Sequence, residues 1–337
     1  MKAVGFKTSL PIAAANSFID FETEKPTPQE HELLVKINAI AINPVDYKIR
    51  QNAAKDTELA EPKIIGWDAC GVVEAVGNEV SLFKVGDEVY YAGDITKPGC
   101  NAEYQVIDER IVGRKPKTLS NEEAAAMPLT TLTAWEILFD RIRISAEKDT
   151  GKTLLIIAGA GGVGSIAIQL AKKIAGLKVI ATASRPESIE WCKRMGADVV
   201  VNHKNLQEEV RSAGFQYVDF IVDFVDVNDY WDDMVQLIKP QGHIASITGS
   251  ATPIALNKLK TKSASFSWEF MYTRSTFQTE DMIEQHHILN KVANLIDEGV
   301  LVHTLTQTLT GLSAATLKQA HEQLESGTTI GKLQIKI

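Results

Sequence analysis

The sequence predicts an α/β protein with a β-rich first part followed by a doubly wound parallel sheet. Residues 1 to about 125 consist mostly of short β-rich runs separated by Gly, Pro and Asp turns. From about residue 128, apolar runs of strand length alternate with helix-like stretches, as in a parallel sheet with crossover helices. The 337 residues suffice for two domains. We therefore expect a two-domain α/β fold.

The individual elements are expected in the following order. The β-rich runs of the first part are residues 1–6, 33–40, 71–76, 86–91 and 103–107, and a helix starts at residues 121–123. The strands of the parallel sheet are residues 154–157, 179–183, 199–201, 220–224 and 243–247, with a helix over 165–175 after the first of them. Towards the end of the chain, helices over 283–298 and 314–325 precede a strand at 333–337.

The glycines after the first apolar strand of the parallel sheet indicate a dinucleotide site. Gly159, Gly161 and Gly164 have the G-x-G-x-x-G spacing between a strand and a helix. One glycine makes the tight turn, one lets a pyrophosphate approach the backbone, and one packs the helix on the strand. Gly162 and Val163 belong to the same predicted site, where helix N–H groups face the phosphates. The alternative is a plain glycine-rich turn.

The end of the next strand favours NADPH over NADH. NAD-binding folds place an acidic residue about 20 residues after the glycines, where it binds the ribose 2′-hydroxyl. Here the first carboxylate is Glu187, beyond Pro186, whereas Ser184 and Arg185 occupy the region itself. A guanidinium pairs with phosphate oxygens, so we expect Arg185 to hold a 2′-phosphate. The alternative for Arg185 is a solvated loop cation.

Composition excludes several other classes of protein. The net charge of −8 argues against a general nucleic-acid or anionic-membrane surface. No positive-then-apolar leader opens the chain. The three cysteines, Cys70, Cys100 and Cys192, are too scattered for a disulfide framework and suit a reducing cytoplasm. These features predict a soluble cytoplasmic protein.

Four further segments carry a resemblance to a known family. Residues 41–46, 66–77, 83–89 and 127–134, together with the glycine turn, resemble the medium-chain dehydrogenase/reductase superfamily over essentially the whole chain. The likeness is to its quinone-oxidoreductase-like branch, including zinc-type alcohol dehydrogenase-like proteins. The resemblance implies a homodimer with an active site in the cleft between two domains. It implies a GroES-like domain over residues 1–127, a Rossmann domain over 128–266, and a segment 267–337 that returns to the first domain.

The zinc ligands of the family are not present at their positions. Zinc-dependent relatives carry Cys where this chain has Asn43, and His where it has Trp67. An amide and an indole are not zinc ligands, and residues 78–110 contain only Cys100 of the four cysteines that a structural zinc lobe needs. Asp46, Asp68 and Cys70 are better explained as two hydrogen-bonding residues and a small buried one than as an improvised metal site. We therefore expect no metal.

A nicotinamide enzyme without zinc is suited to reducing an already electron-poor acceptor. Alcohol oxidation is assisted by a Lewis acid that stabilises the alkoxide. Hydride transfer to a quinone or an α,β-unsaturated carbonyl needs mainly orientation and polar donors at the acceptor oxygen. The predicted function is an NADPH-dependent reductase of such acceptors.

The resemblance also implies site residues outside the glycine turn. Asn43 is expected to donate a hydrogen bond at the nicotinamide or substrate oxygen, and Tyr47 to fix the nicotinamide ribose or donate a proton. Their alternatives are an Asn turn before Pro44 and a Tyr packed under the loop. The other cofactor residues expected are Thr130, Thr131, Lys193, His203, Phe224, Thr248, Gly249, Phe270 and Met271, and the expected acceptor-pocket residues are Trp67 and Trp268. Helix capping, solvated surface and core packing are the competing explanations.

Two other functions stay open at this stage. A zinc alcohol dehydrogenase is argued against by Asn43 and Trp67. A sensor that binds NADPH with little turnover is compatible with every motif above, and RNA binding is disfavoured by the acidic charge. The partner expected is a small electrophilic acceptor.

Overall fold

The computed structural model describes all residues from Met1 to Ile337 and divides into two compact units. Unit 1 comprises Met1–Leu132 and Tyr272–Ile337, and unit 2 comprises Thr133–Met271. The units thus divide after residues 132 and 271, where the sequence suggested boundaries after 127 and 266. No helix has both the length and the apolar character needed to cross a membrane.

Unit 1 is built on β-sheets, with strands contributed by both of its segments. The first segment contains β1 (Lys2–Phe6), β2 (Ile19–Glu22), β3 (Glu32–Ala41), α1 (Pro44–Asn52), β4 (Lys63–Ile64), β5 (Asp68–Val76), β6 (Glu88–Tyr91), β7 (Tyr104–Asp108), β8 (Val112–Arg114), α2 (Asn121–Ala125) and the start of α3 (Pro128–Trp135). The second contains α9 (Thr273–Phe277), α10 (Glu284–Asp297), β15 (Leu305–Thr310), α11 (Ala314–Glu325) and β16 (Lys332–Lys336). Because β16 pairs antiparallel with β3, the end of the chain completes the sheet of the first segment.

The strands of unit 1 form two sheets. One has the order β2-β1-β4, and the seven-stranded one has the order β15-β16-β3-β5-β6-β8 with β7 also paired to β3. The long strand β3 is an apolar run with only a few polar residues, and it is buried along most of its length. It therefore lies at the centre of this sheet. Strand β5 pairs with it, and α1 begins shortly after it ends.

Unit 2 is a six-stranded parallel sheet with helices between its strands. Its elements are α4 (Ala146–Asp149), β9 (Thr153–Ile157), α5 (Gly162–Gln169), β10 (Lys178–Thr182), α6 (Pro186–Met195), β11 (Val199–Val201), α7 (Leu206–Ser212), β12 (Val218–Asp223), α8 (Val227–Leu237), β13 (Ile238–Ser246) and β14 (Ser265–Trp268). The strand order β11-β10-β9-β12-β13-β14 is that of a Rossmann sheet. Continuous apolar runs such as Leu-Leu-Ile-Ile in β9 suit strands that are covered on both faces.

Most predicted elements are confirmed. Strands β2, β4, β8 and β15 of unit 1 were not predicted, and unit 2 differs from the prediction at three places. Helix α5 starts at Gly162 instead of residue 165, so Gly162 and Gly164 lie in its first turn. It continues as a π-helical turn over Leu170–Ile174. Strand β13 starts earlier than predicted, at Ile238. The edge strand β14 was not predicted, because its Ser-Phe-Ser-Trp sequence is short and half polar.

Candidate active site

The glycine turn between β9 and α5 is held tightly against its own unit. A Cβ on Gly159 would lie 2.7 Å from the Ala181 Cβ in β10 and 3.1 Å from the Cys192 Sγ in α6. A Cβ on Gly164 would lie 2.3 Å from the Ala158 carbonyl oxygen. The 2.7 Å and 2.3 Å distances are far inside van der Waals contact, so the fold itself requires these two glycines.

Gly161 has no such structural requirement. A Cβ there would meet only the Ala158 carbonyl oxygen, at 3.7 Å, which is an ordinary contact. Its φ of −72° and ψ of 175° are open to any residue. Gly161 is the N-cap residue of α5, whose first N–H groups have no partner within the helix. The residues therefore fit a dinucleotide whose pyrophosphate approaches the backbone at Gly161.

The backbone just before these glycines is strained and is anchored by β10. Ala158 has a φ of +66°, in the left-handed region that costs a residue with a Cβ about 1 kcal/mol or more. Its N–H donates to the Thr182 Oγ1 over 2.9 Å, and the Gly159 N–H donates to the Thr182 carbonyl oxygen over 3.1 Å. Thr182 thus fixes the turn, and sequence reasoning did not identify it.

The predicted 2′-phosphate residues follow the carboxyl end of β10. Ser184 is exposed, and Arg185 is the N-cap residue of α6 with its side chain 40% exposed. The Arg185 Nε lies 3.4 Å from the Glu187 Oε1. Lys193 is exposed on α6, and His203 is half-buried just after β11, the strand that pairs with β10.

A buried polar cluster lies at the carboxyl ends of β12 and β13. The Asp223 Oδ2 accepts from the Ser246 Oγ at 2.8 Å and from the Thr248 Oγ1 at 3.2 Å. The Thr248 hydroxyl also accepts from the Val227 N–H, so its polar contacts are with protein groups. Burial raises the pKa of Asp223. Sequence reasoning named Phe224, Thr248 and Gly249 here; Phe224 is half-buried and Gly249 exposed.

In unit 1, the predicted donor Asn43 is buried and already hydrogen bonded. It is the N-cap residue of α1 and 1% exposed. Its Nδ2 donates to the Asp68 Oδ2 over 2.8 Å, and its Oδ1 accepts from the Lys332 Nζ over 2.5 Å. These two bonds fix which way the amide faces.

Asp68 joins three segments of unit 1 around Asn43. The Lys332 Nζ, on β16, donates to the Asp68 Oδ2 over 3.0 Å and to the Ile42 carbonyl oxygen over 3.0 Å. The Leu129 N–H, in the first turn of α3, donates to the Asp68 Oδ1 over 2.7 Å. Asp68 and Lys332 form an ion pair, and their side chains are buried at 0% and 3% exposure. We call Asn43, Asp46, Asp68 and Lys332 the Asp68 cluster.

Asp46 gives the Asp68 cluster a second carboxyl group. Its Oδ2 accepts from the Asn43 N–H over 2.8 Å, whereas its Oδ1 is buried without a hydrogen-bond partner. Burial raises the pKa of Asp46 to about 7, and the charge of Asp68 acts in the same direction. The Asn43 N–H and the Lys332 ammonium oppose that rise. Asp46 and Asp68 are hydrogen-bonding residues, as the sequence suggested.

The residues around the Asp68 cluster do not fit a zinc ion. Both Asp68 oxygens accept from N–H donors, and the Asn43 amide is held between Asp68 and Lys332. Trp67 is fully buried with its ring 6.2 Å from that of Tyr272, edge to face. No three His, Cys, Asp or Glu side chains are grouped as a metal site requires. The cysteines are free and buried.

The remaining predicted residues have mixed environments. Tyr47, on α1, is half-buried, and burial together with the charge of Glu325 raises its pKa. The Thr130 Oγ1 donates to the Met127 carbonyl oxygen over 3.2 Å, and the Thr131 Oγ1 is buried without a partner. In unit 2, Trp268 and Phe270 are about half exposed and Met271 is buried.

Sequence reasoning missed Lys332 because nothing in its neighbourhood indicates burial. It opens the alternating run Lys-Leu-Gln-Ile-Lys, whose last lysine is exposed. The burial of Lys332 follows from the pairing of β16 with the central strand β3. The residue pattern of an isolated strand does not show such a pairing. Asp68 was named as a hydrogen-bonding residue, but its partners lie on three distant segments.

Comparison with known proteins places the chain in a family. Residues 29–117 match the model of the alcohol dehydrogenase GroES-like domain, and residues 162–285 match that of the zinc-binding dehydrogenase. Over its full length the chain is 45% identical to a zinc-type alcohol dehydrogenase-like protein of Staphylococcus epidermidis, which it also covers completely. The chain is a medium-chain dehydrogenase/reductase. It is therefore an oxidoreductase built for a nicotinamide cofactor.

Two solved structures of this superfamily show how far the fold is shared. A putative zinc-dependent alcohol dehydrogenase protein from Rhizobium etli is 47% identical, with a TM-score of 0.95 over 100% of this chain and 98% of that one. The quinone oxidoreductase of Escherichia coli, solved with NADPH, is 26% identical, with a TM-score of 0.84 over the whole of both chains. The GroES-like and Rossmann folds predicted from the sequence are confirmed.

Proposed function

We propose that this protein is an NADPH-dependent reductase of quinones or α,β-unsaturated carbonyl compounds that works without a metal. The observation that carries the proposal is the combination of Gly161, which the fold does not require to be glycine, with Ser184 and Arg185 beyond β10. The first accommodates a pyrophosphate and the second pair suits a 2′-phosphate. The likeness to a quinone oxidoreductase solved with NADPH supports the same cofactor.

The acceptor class follows from the chemistry of the Asp68 cluster. Because the zinc ligands of relatives are replaced in this chain, we assign it no Lewis acid of the kind that assists alcohol oxidation in zinc enzymes. NADPH, when bound, supplies a hydride, and one proton completes the reduction of a quinone to a hydroquinone or of an enone to a saturated ketone. The residues of the chain are left to orient the reactants and to supply polar groups and the proton.

In this proposal, two side chains at the start of α1 contact the acceptor or the nicotinamide end of the cofactor. Tyr47 is the candidate proton donor or nicotinamide-ribose contact, since it is half-buried one residue after Asp46. Asn43 is the candidate polar contact, in an orientation that Asp68 and Lys332 fix. The variant Tyr47→Phe distinguishes a proton donor from a residue that only packs. Loss of a proton donor lowers kcat, whereas loss of the hydroxyl from a packing residue leaves kcat unchanged.

The test is NADPH and NADH oxidation against a panel of 1,4-benzoquinone, a naphthoquinone and linear enones, with Arg185→Ala as the cofactor variant. We expect turnover of at least one acceptor with NADPH. Arg185→Ala is expected to weaken NADPH binding by about 1–3 kcal/mol and NADH binding much less, because only NADPH loses a charge-assisted bond. Equal losses for both cofactors would refute the phosphate role, and NADPH binding without turnover would favour a sensor.

A further inference from the structure

Arg185 is already paired with a carboxylate of its own helix. Arg185 and Glu187 are the N-cap and second residues of α6, and the Glu187 Oε1 lies 3.4 Å from the Arg185 Nε. The two side chains are 40% and 58% exposed. The turn itself is held by other groups, because the Ser188 hydroxyl donates to the Arg185 carbonyl oxygen and accepts from its N–H.

This ion pair contributes little to the fold. Exposed pairs of this kind typically stabilise a protein by less than about 1 kcal/mol, and Glu187 gains a similar small amount from the positive end of the helix. Neither effect explains why an acid stands beside the cation proposed to hold a phosphate. The pair does have a consequence for binding, because a guanidinium that contacts Glu187 is partly neutralised before any cofactor arrives.

We propose that Glu187 is a specificity-determining residue that competes with the 2′-phosphate of the cofactor for Arg185. The inference rests on the proposed function, since it presumes that Arg185 holds that phosphate. A bound 2′-phosphate requires the Glu187 carboxylate to swing into solvent, and it remains a like charge close by. NADH has a 2′-hydroxyl at this position, and a carboxylate readily accepts a hydrogen bond from it. Glu187 therefore narrows the preference for NADPH over NADH.

The experiment isolates the adenosine end of the cofactor. Adenosine 2′,5′-bisphosphate and AMP are titrated calorimetrically into the wild type, Glu187→Gln, Arg185→Ala and Glu190→Gln. Glu190 lies one turn further along α6 and is exposed, so its replacement removes the same charge at a different position of the helix. For Glu187→Gln we expect the bisphosphate to bind about three- to tenfold more tightly and AMP to be unchanged or weaker. The gain should shrink at high salt.

The outcomes separate this inference from the proposed function. Selective tightening in Glu187→Gln, absent in Glu190→Gln, with selective weakening in Arg185→Ala, supports both. If Arg185→Ala weakens only the bisphosphate while Glu187→Gln behaves like Glu190→Gln, the competition is wrong and the phosphate role of Arg185 stands. If Arg185→Ala affects both ligands equally or neither, the phosphate role fails and the competition with it.

Discussion

The glycine turn of unit 2 and the Asp68 cluster of unit 1 place functional groups in opposite ways. The turn is one continuous stretch from β9 into α5, and its proposed role in cofactor binding depends on backbone N–H groups and on the absence of Cβ atoms. In the Asp68 cluster, the carboxylate at the start of β5 accepts from Asn43, which precedes α1, from Lys332 on β16 and from the first turn of α3. In the turn, Gly159 and Gly164 leave almost no room for added volume, whereas the Asp68 cluster tolerates almost no unpaired charge.

The largest expected effect comes from breaking the buried ion pair. Lys332→Met leaves the Asp68 carboxylate buried with less compensation, and we expect a loss of about 3–5 kcal/mol in the free energy of unfolding. The double variant Asp68→Asn/Lys332→Met removes both charges and should recover part of that loss. Chemical denaturation measures both.

The control for this prediction lies on the same strand. Lys336 is 57% exposed and pairs with Glu122, so Lys336→Met should change stability by less than about 1 kcal/mol. Equal losses in the free energy of unfolding for Lys332→Met and Lys336→Met would mean that burial of the Asp68–Lys332 pair does not make its loss more costly.

The second prediction contrasts two glycines of the same turn. Gly164→Ala places a Cβ against the Ala158 carbonyl oxygen and should cost about 1–3 kcal/mol of stability. Gly161→Ala makes only an ordinary contact, so stability should stay within about 0.5 kcal/mol of the wild type. NADPH affinity should nevertheless fall about tenfold or more in Gly161→Ala, because the added methyl group faces the approaching pyrophosphate.

Thermal unfolding and NADPH fluorescence titration on both variants check the contrast. Unchanged NADPH affinity in a stable Gly161→Ala protein would contradict the assignment of this turn to the pyrophosphate.

The third prediction concerns the pH dependence that Asp46 gives the Asp68 cluster. Burial raises its pKa from 3.8 to about 7 in the folded protein. Between these values the folded chain holds a proton that the unfolded chain has lost, so this contribution to stability is fully present below pH 4 and is lost as pH rises towards 7. Relative to Asp46→Asn, the wild type should therefore lose about 1 kcal/mol of stability per pH unit across pH 5–7.

Urea denaturation of the wild type and Asp46→Asn at several pH values measures this difference. The exposed Asp56 provides the matched control, since Asp56→Asn should follow the wild type throughout. Parallel pH profiles for the wild type and Asp46→Asn would show that Asp46 does not hold its proton in the folded state.

The contrast between the two regions also explains how much the sequence could predict. The Rossmann strands and the glycine turn were predictable because apolar runs and glycine spacing are local patterns. The identity of Asn43 as a replaced ligand came from a family resemblance. The bonds from Lys332 and Leu129 to Asp68 could not be predicted, because they depend on which strands become neighbours. Thr182 was missed because its role is to fix the strained Ala158.

The most direct test of the metal-free reductase is metal analysis of the purified protein, combined with NADPH oxidation of 1,4-benzoquinone and an enone before and after EDTA treatment. We expect less than stoichiometric zinc and a turnover rate that EDTA does not change. Stoichiometric zinc together with EDTA-sensitive alcohol oxidation would contradict this expectation and the interpretation of Asn43 and Trp67 as replaced zinc ligands.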